Sequence, residues 1–162
     1  MIKIGDKLPS VVFKIMTPSG PADLKSDDFF AHKKIVLFAV PGAYTPTCTA
    51  KHLPGYVDHY QQLKASGIDE IACVAVNDVF VMNAWAQSCK AEEITMLSDG
   101  NGTFTQAIGL EMNGESYGLG SRSQRYAMIV ENGIVTQLFV EQPGDFKVSS
   151  VEHVLSQLQL KN

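Results

Sequence analysis

Two kinds of apolar pattern alternate along this chain. Ile35-Val36-Leu37-Phe38-Ala39-Val40 and Ile71-Ala72-Cys73-Val74-Ala75-Val76 are unbroken apolar runs rich in β-branched residues. Such runs fit strands buried on both faces of a sheet. Shorter strands are expected at residues 11–16, closed by the turn-rich Thr17-Pro18-Ser19-Gly20-Pro21, and at residues 95–97, ended by Ser98-Asp99-Gly100-Asn101-Gly102. Strands at 126–130 and 134–140 flank Asn132-Gly133, a hairpin signal because both residues tolerate positive φ.

Helical signals fill the spaces between. Ser26-Asp27-Asp28 offers an N-cap and first-turn carboxylates to a short helix through Phe29 and Phe30. A longer helix is expected from Cys48 to about Ser66, kinked near Leu53-Pro54-Gly55 because proline lacks the N–H the preceding turn needs. Asn77 and Asp78 cap a helix running from Val79 to about Cys89, and residues 103–108 read as another short one. In a final helix over 149–158, Val151, Val154, Leu155 and Leu158 share one face. The Gly-rich segment 114–123 reads as a loop. Buried strands joined by helices, then a hairpin and a closing helix, predict an α/β protein with a central mixed sheet flanked by helices. A thioredoxin-like βαβ–ββα order with an N-terminal extension fits, as a single domain over residues 1–162.

Composition narrows the classes of function. With 162 residues the chain can bury one sizeable core, and 45% hydrophobic and 19% charged residues are ordinary for a soluble globular protein. A net charge of −4 with scattered Lys and Arg gives no reason to expect nucleic-acid binding. No apolar run approaches the about 18 residues a membrane span needs, and the first residues lack the apolar region of a signal peptide. A cytoplasmic location is expected, with no membrane partner. Three cysteines, Cys48, Cys73 and Cys89, with no CxxC pair, support neither a disulfide framework nor a zinc site nor a thioredoxin-type redox pair.

The candidate chemistry lies directly after the first buried strand, in Pro41-Gly42-Ala43-Tyr44-Thr45-Pro46-Thr47-Cys48-Thr49. Cys48 stands where a strand hands over to a helix, and the unpaired N–H groups of a first helical turn favour negative charge. The thiolate is the nucleophilic form of cysteine. Pro41 ends the strand and can shield the sulfur, while the Thr45 hydroxyl can donate to or accept from a small oxygen-containing substrate. Against this stands the ordinary reading of a free cysteine as a small buried hydrophobe. His52, four residues after Cys48, has no third ligand to make a metal site with and reads as a polar residue behind the cysteine; His59 reads as surface and Trp85 as core.

Pro41-x-x-x-Thr45-x-x-Cys48 resembles the signature of the peroxiredoxins, and the wider segment resembles the subfamily that includes plant type II and mammalian mitochondrial/peroxisomal members. Val74-Ala75-Val76-Asn77-Asp78 with Val81-Met82-Asn83-Ala84-Trp85, Gly118-Leu119-Gly120, Arg125-Tyr126-Ala127-Met128 and Phe146-Lys147-Val148-Ser149-Ser150 continue the resemblance in order. It implies a thiol peroxidase without metal, haem or flavin, reducing hydrogen peroxide and alkyl hydroperoxides. Cys48 would then become a sulfenic acid. Thr45 and Arg125 would address the peroxide, Pro41 would shield the pocket, and the N–H groups of Gly42 and Cys48 would be the remaining donors. Arg122 reads instead as a solvated loop charge. Cys73 matches the second cysteine of plant type II members, yet sits in a buried strand, so a resolving role stays open. Cys89 reads as incidental, and glutathione with glutaredoxin, or thioredoxin, is the expected reductant. The subfamily also implies a homodimer. Two rivals remain: a thiol–disulfide oxidoreductase, disfavoured by the missing CxxC, and a binding or chaperone protein switched by Cys48 oxidation.

Overall fold

The computed structural model describes residues 1–160. Strands β1 (Val12–Thr17) and β2 (Gly20–Lys25) form an antiparallel hairpin, followed by α1 (Ser26–Phe30) and the central strand β3 (Lys34–Ala39). Cys48–His52 make a π-helical turn that runs into α2 (Leu53–Asp58) and α3 (Tyr60–Ala65). Next come β4 (Glu70–Ala75), α4 (Val79–Ser88), β5 (Thr95–Ser98) and α5 (Thr103–Ala107). Two short strands, β6 (Glu111–Asn113) and β7 (Ser121–Ser123), pair with each other around a 3-10 turn at Glu115–Tyr117. The hairpin β8 (Tyr126–Glu131) and β9 (Ile134–Val140) and the helix α6 (Val151–Leu160) complete the order.

Seven strands form one mixed sheet in the order β2-β1-β5-β4-β3-β8-β9. β3, β4 and β5 are parallel and need helical crossovers, which the cysteine-bearing helix and α4 supply. β8 runs antiparallel to β3, and β9 to β8. The apolar run of β3 divides by its period of two. Val36, Phe38 and Val40 face a layer built from Leu53, Tyr56, Trp85, Val151 and Val154, whereas Ile35, Leu37 and Ala39 face Phe29, Phe30, Phe104 and Ile108. Both faces are therefore covered, and the loop after β3 leaves the most constrained strand in the molecule.

Several local expectations are corrected. The segment after Thr17 is not only a turn: it continues into β2, an edge strand, where Pro21 lacks no needed donor. Ser26 does not cap α1 but opens it; its hydroxyl donates to Pro9 O at 2.9 Å and accepts from Val11 N–H at 2.9 Å, holding the incoming chain. Pro54 does not kink a uniform helix. The turn before it widens to π geometry, and the break comes at His59, whose φ of −107° separates α2 from α3. The Gly-rich loop contains β7, and its Gly114 N–H donates to Gly120 O at 2.7 Å. The last helix begins two residues later than expected, with Ser150 Oγ accepting from His153 N–H at 3.2 Å. Asn132 and Gly133, at φ of 49° and 78°, make the expected turn.

Candidate active site

Cys48 is fully buried at the start of the π turn, and two donors meet its sulfur. Thr45 Oγ1 lies 2.8 Å from Sγ and 2.6 Å from Gly42 O. A hydroxyl has one proton, so Thr45 donates either to Gly42 or to the sulfur; when it donates to Gly42, its lone pair faces the thiol proton. Arg125, immediately before β8, reaches across the sheet end and places Nη2 3.1 Å from Sγ. Its other terminal nitrogen, Nη1, lies 2.9 Å from His52 Nδ1, and its guanidinium carbon sits 5.9 Å from the centre of the Phe146 ring. Arginine never loses its charge, so His52 Nδ1 must be the acceptor.

Burial first, then the neighbouring Arg125 charge, push the pKa of His52 down to about 3 against the opposing pull of Ser149. His52 is therefore neutral, with its proton on Nε2, which donates to Ser149 O at 3.1 Å. Tyr56 O–H donates to the same carbonyl at 2.8 Å. That carbonyl is held by Glu141, whose Oε2 accepts from Ser149 N–H, Ser149 Oγ and Lys147 N–H at 2.7 to 2.8 Å. Burial alone would raise the Glu141 pKa, but these bonds outweigh it and hold the carboxyl below its ordinary range.

The loop itself is fixed from outside. Ala43 N–H donates to Asn77 Oδ1 at 2.9 Å, so Asn77 anchors the cysteine loop, while Asp78 caps α4 by accepting from Val81 N–H. A Cβ at Gly42 would stand 2.9 Å from Arg122 Nη1, the movable end of a long side chain, and 3.2 Å from Thr45 Cγ2, so both side chains pack closely on this glycine. Arg122 is thus not the solvated charge its sequence suggests. Its guanidinium packs on the cysteine loop and donates through Nε to Leu119 O at 2.9 Å. Among the described residues, neither Gly42 N–H nor Cys48 N–H meets a protein acceptor outside the helix. Pro41 and Arg125 stand at the wall of a cavity of about 350 Å³, bounded on its far side by Glu111, Met112 and the 141–145 loop.

The remaining candidates make no hydrogen bond to the Cys48 sulfur. Cys73 is fully buried in the middle of β4, in register with Phe38 and Met96, and burial followed by the nearby Cys48 pushes its thiol pKa up. Cys89 is half-buried just after α4. Trp85 is core, donating from Nε1 to Thr49 Oγ1 at 3.0 Å, and His59 is half-buried with Nδ1 against Gly55 O. No group of three metal-ligating side chains occurs among the described residues.

A family model described as Redoxin matches residues 3–155. The chain is 43% identical over 157 residues to the hybrid peroxiredoxin hyPrx5 of Haemophilus influenzae, covering 95% of this chain and 65% of that protein, so it spans less than two thirds of that relative. It is 45% identical to the chloroplastic Peroxiredoxin-2E of Arabidopsis thaliana, covering 97% of this chain and 69% of the relative. Among solved structures, reduced Prx3 of Vibrio vulnificus in complex with H2O2 superposes with a TM-score of 0.95 at 52% identity, covering 98% of this chain and 99% of the other.

Proposed function

This chain belongs to the peroxiredoxins, in the subfamily of the plant type II enzymes, and is a thiol-dependent peroxidase; on that premise we propose that Cys48 is the peroxidatic nucleophile, with Thr45 and Arg125 as its substrate-addressing partners. The convergence of Thr45 Oγ1 and Arg125 Nη2 on one sulfur carries this assignment. The Cys48 thiolate attacks one peroxide oxygen, an S–O bond forms as the O–O bond breaks, and the electron pair leaves on the other oxygen. That oxygen takes the proton given up by the thiol, so one hydroperoxide becomes one alcohol or water and the sulfur becomes a sulfenic acid. In this reading Arg125, with the N–H groups of Gly42 and Cys48 as further donors, stabilises the developing negative charge. Pro41 limits water at the mouth of the pocket. A protein in which Cys48 oxidation only switched a partner surface would have no use for two donors on the sulfur.

Resetting is assigned to an external thiol, glutathione with glutaredoxin or thioredoxin. The thiol attacks the sulfenic sulfur, expels water and leaves a mixed disulfide that a second thiol resolves. The place of Cys73 in the middle of β4, with its thiol pKa pushed up by burial and by the neighbouring Cys48, supports a core role for it rather than a resolving one. Because the cycle needs a thiol supply, the cytoplasm is the proposed compartment. A homodimer is proposed from the exposed aromatic rings of Tyr44 and Phe80, 53% and 63% exposed, on segments linked by the Ala43–Asn77 bond; a monomer by sedimentation at micromolar concentration would exclude it.

The decisive experiment treats reduced protein with one equivalent of peroxide and follows both its consumption and the mass of Cys48. Cys48→Ser should abolish rapid consumption, and wild-type consumption at the rate of free cysteine would sink the assignment. Non-reducing peptide mapping after oxidation should give no Cys48–Cys73 linkage.

A further inference from the structure

Arg125 can do its work only if its guanidinium stays over the sulfur, and its own backbone does not ensure that. It enters from the residue just before β8 on a long side chain, half-buried, beside a cavity of about 350 Å³ into which the fork could swing. Phe146 supports one face of the guanidinium without fixing its rotation. The direction of the fork is set by His52 Nδ1, which accepts from Nη1 at 2.9 Å and leaves Nη2 aimed at Sγ.

We propose that His52 is a positioning residue for peroxide reduction: its unprotonated Nδ1 orients Arg125 over Cys48, and its Nε2–H bond to Ser149 O fixes the ring that does so. His52 touches neither sulfur nor peroxide and acts through the arginine alone. The assignment follows from hydrogen-bond chemistry. An imidazolium would present N–H on both nitrogens, and the Nδ1–H tautomer would turn a donor toward a group that has only donors. Only the neutral Nε2–H form satisfies both partners, and burial with the adjacent charge keeps the ring in that form. The ring is also gripped by packing: the Phe38 and Phe146 rings lie 5.0 Å and 5.1 Å from it, centre to centre, and resist the flip that would exchange its two nitrogens.

This inference rests on the peroxidase assignment, and the two can fail separately. Asparagine places an amide oxygen near the position of Nδ1, whereas glutamine extends its amide to the position of Nε2. His52→Asn should therefore keep the acceptor for Arg125, and His52→Gln should keep only the bond to Ser149. Second-order peroxide rate constants, read from the single tryptophan, should fall about tenfold to a hundredfold in His52→Gln and His52→Leu, and by no more than about threefold in His52→Asn. Iodoacetamide reacts with the thiolate but has no O–O bond to orient, so the ratio of peroxide rate to alkylation rate should fall with the same variants. Equal losses in Asn and Gln variants, or no loss in either, would overturn the proposal while leaving a fast wild type intact as a peroxidase. Should a variant not fold, nitrogen-15 spectra of the wild type decide: the His52 resonances should report protonated Nε2 and unprotonated Nδ1, and the reverse tautomer refutes the proposal.

Discussion

Thr45 shows how much one hydroxyl can be asked to do. Held between Gly42 O and Cys48 Sγ, it serves the thiol as acceptor and the thiolate as donor without moving a heavy atom. Thr45→Val keeps the shape and loses both functions, so peroxide reduction should slow by about a hundredfold, while Thr45→Ser should stay near wild type. A valine variant at full speed in stopped-flow assays would remove the hydroxyl from the mechanism. Gly42 matters at the same scale, since the space its missing Cβ leaves is filled by Arg122 and by the methyl of Thr45. These contacts were invisible in the chain, because Arg122 reaches Gly42 only through the β6–β7 ribbon. Cys48 and Thr45 were legible from the motif and Arg125 from its matched segment far downstream, whereas His52 offered only its spacing from Cys48. Glu141 offered no signal, and Ser149 only its place in a matched segment, with no role attached to it.

Among the elements, the loop between β9 and α6 has the largest share in the site for the least secondary structure. Glu141 gathers Lys147 N–H, Ser149 N–H and Ser149 Oγ, and so holds the carbonyl that both His52 and Tyr56 need. Glu141→Ala would leave buried donors unpaired, at a cost of about 3 kcal/mol, and should also slow peroxide reduction by letting the His52 ring drift. Unchanged hydrogen-exchange protection at Ser149 in that variant would show that the loop is held by something else. The buried strands β3 and β4 were readable because double-sided burial leaves no polar positions. β2, β6 and β7 were not, since short half-exposed strands carry little periodicity and depend on their partners. The π turn was unreadable for a related reason: Pro54 announces a disturbance but not on which side the helix absorbs it.

For the whole molecule, the buried neutral His52 makes stability depend on pH. Its proton affinity is lower in the fold than in the unfolded chain, so as pH falls below 6.5 the unfolded chain takes up the proton first. Stability is whole above that value and is lost progressively toward about pH 3, in total about 5 kcal/mol. Glu141 acts in the same direction lower down, because its depressed affinity contributes stability that is present above 4.5 and lost as pH falls further. Urea midpoints should therefore fall between pH 6.5 and 4.5 in the wild type and much less in His52→Asn. A level wild-type midpoint across that interval would contradict a buried neutral imidazole.

The distances along the chain between partners have a consequence for synthesis. Arg125 follows Cys48 by 77 residues, and the carbonyl that orients His52 follows it by 97. A growing polypeptide thus exposes its thiol long before the groups that make it reactive have been translated. Incomplete chains carry a cysteine of ordinary reactivity, and fast peroxide chemistry switches on only when the last loop closes, so the rate itself certifies a finished fold.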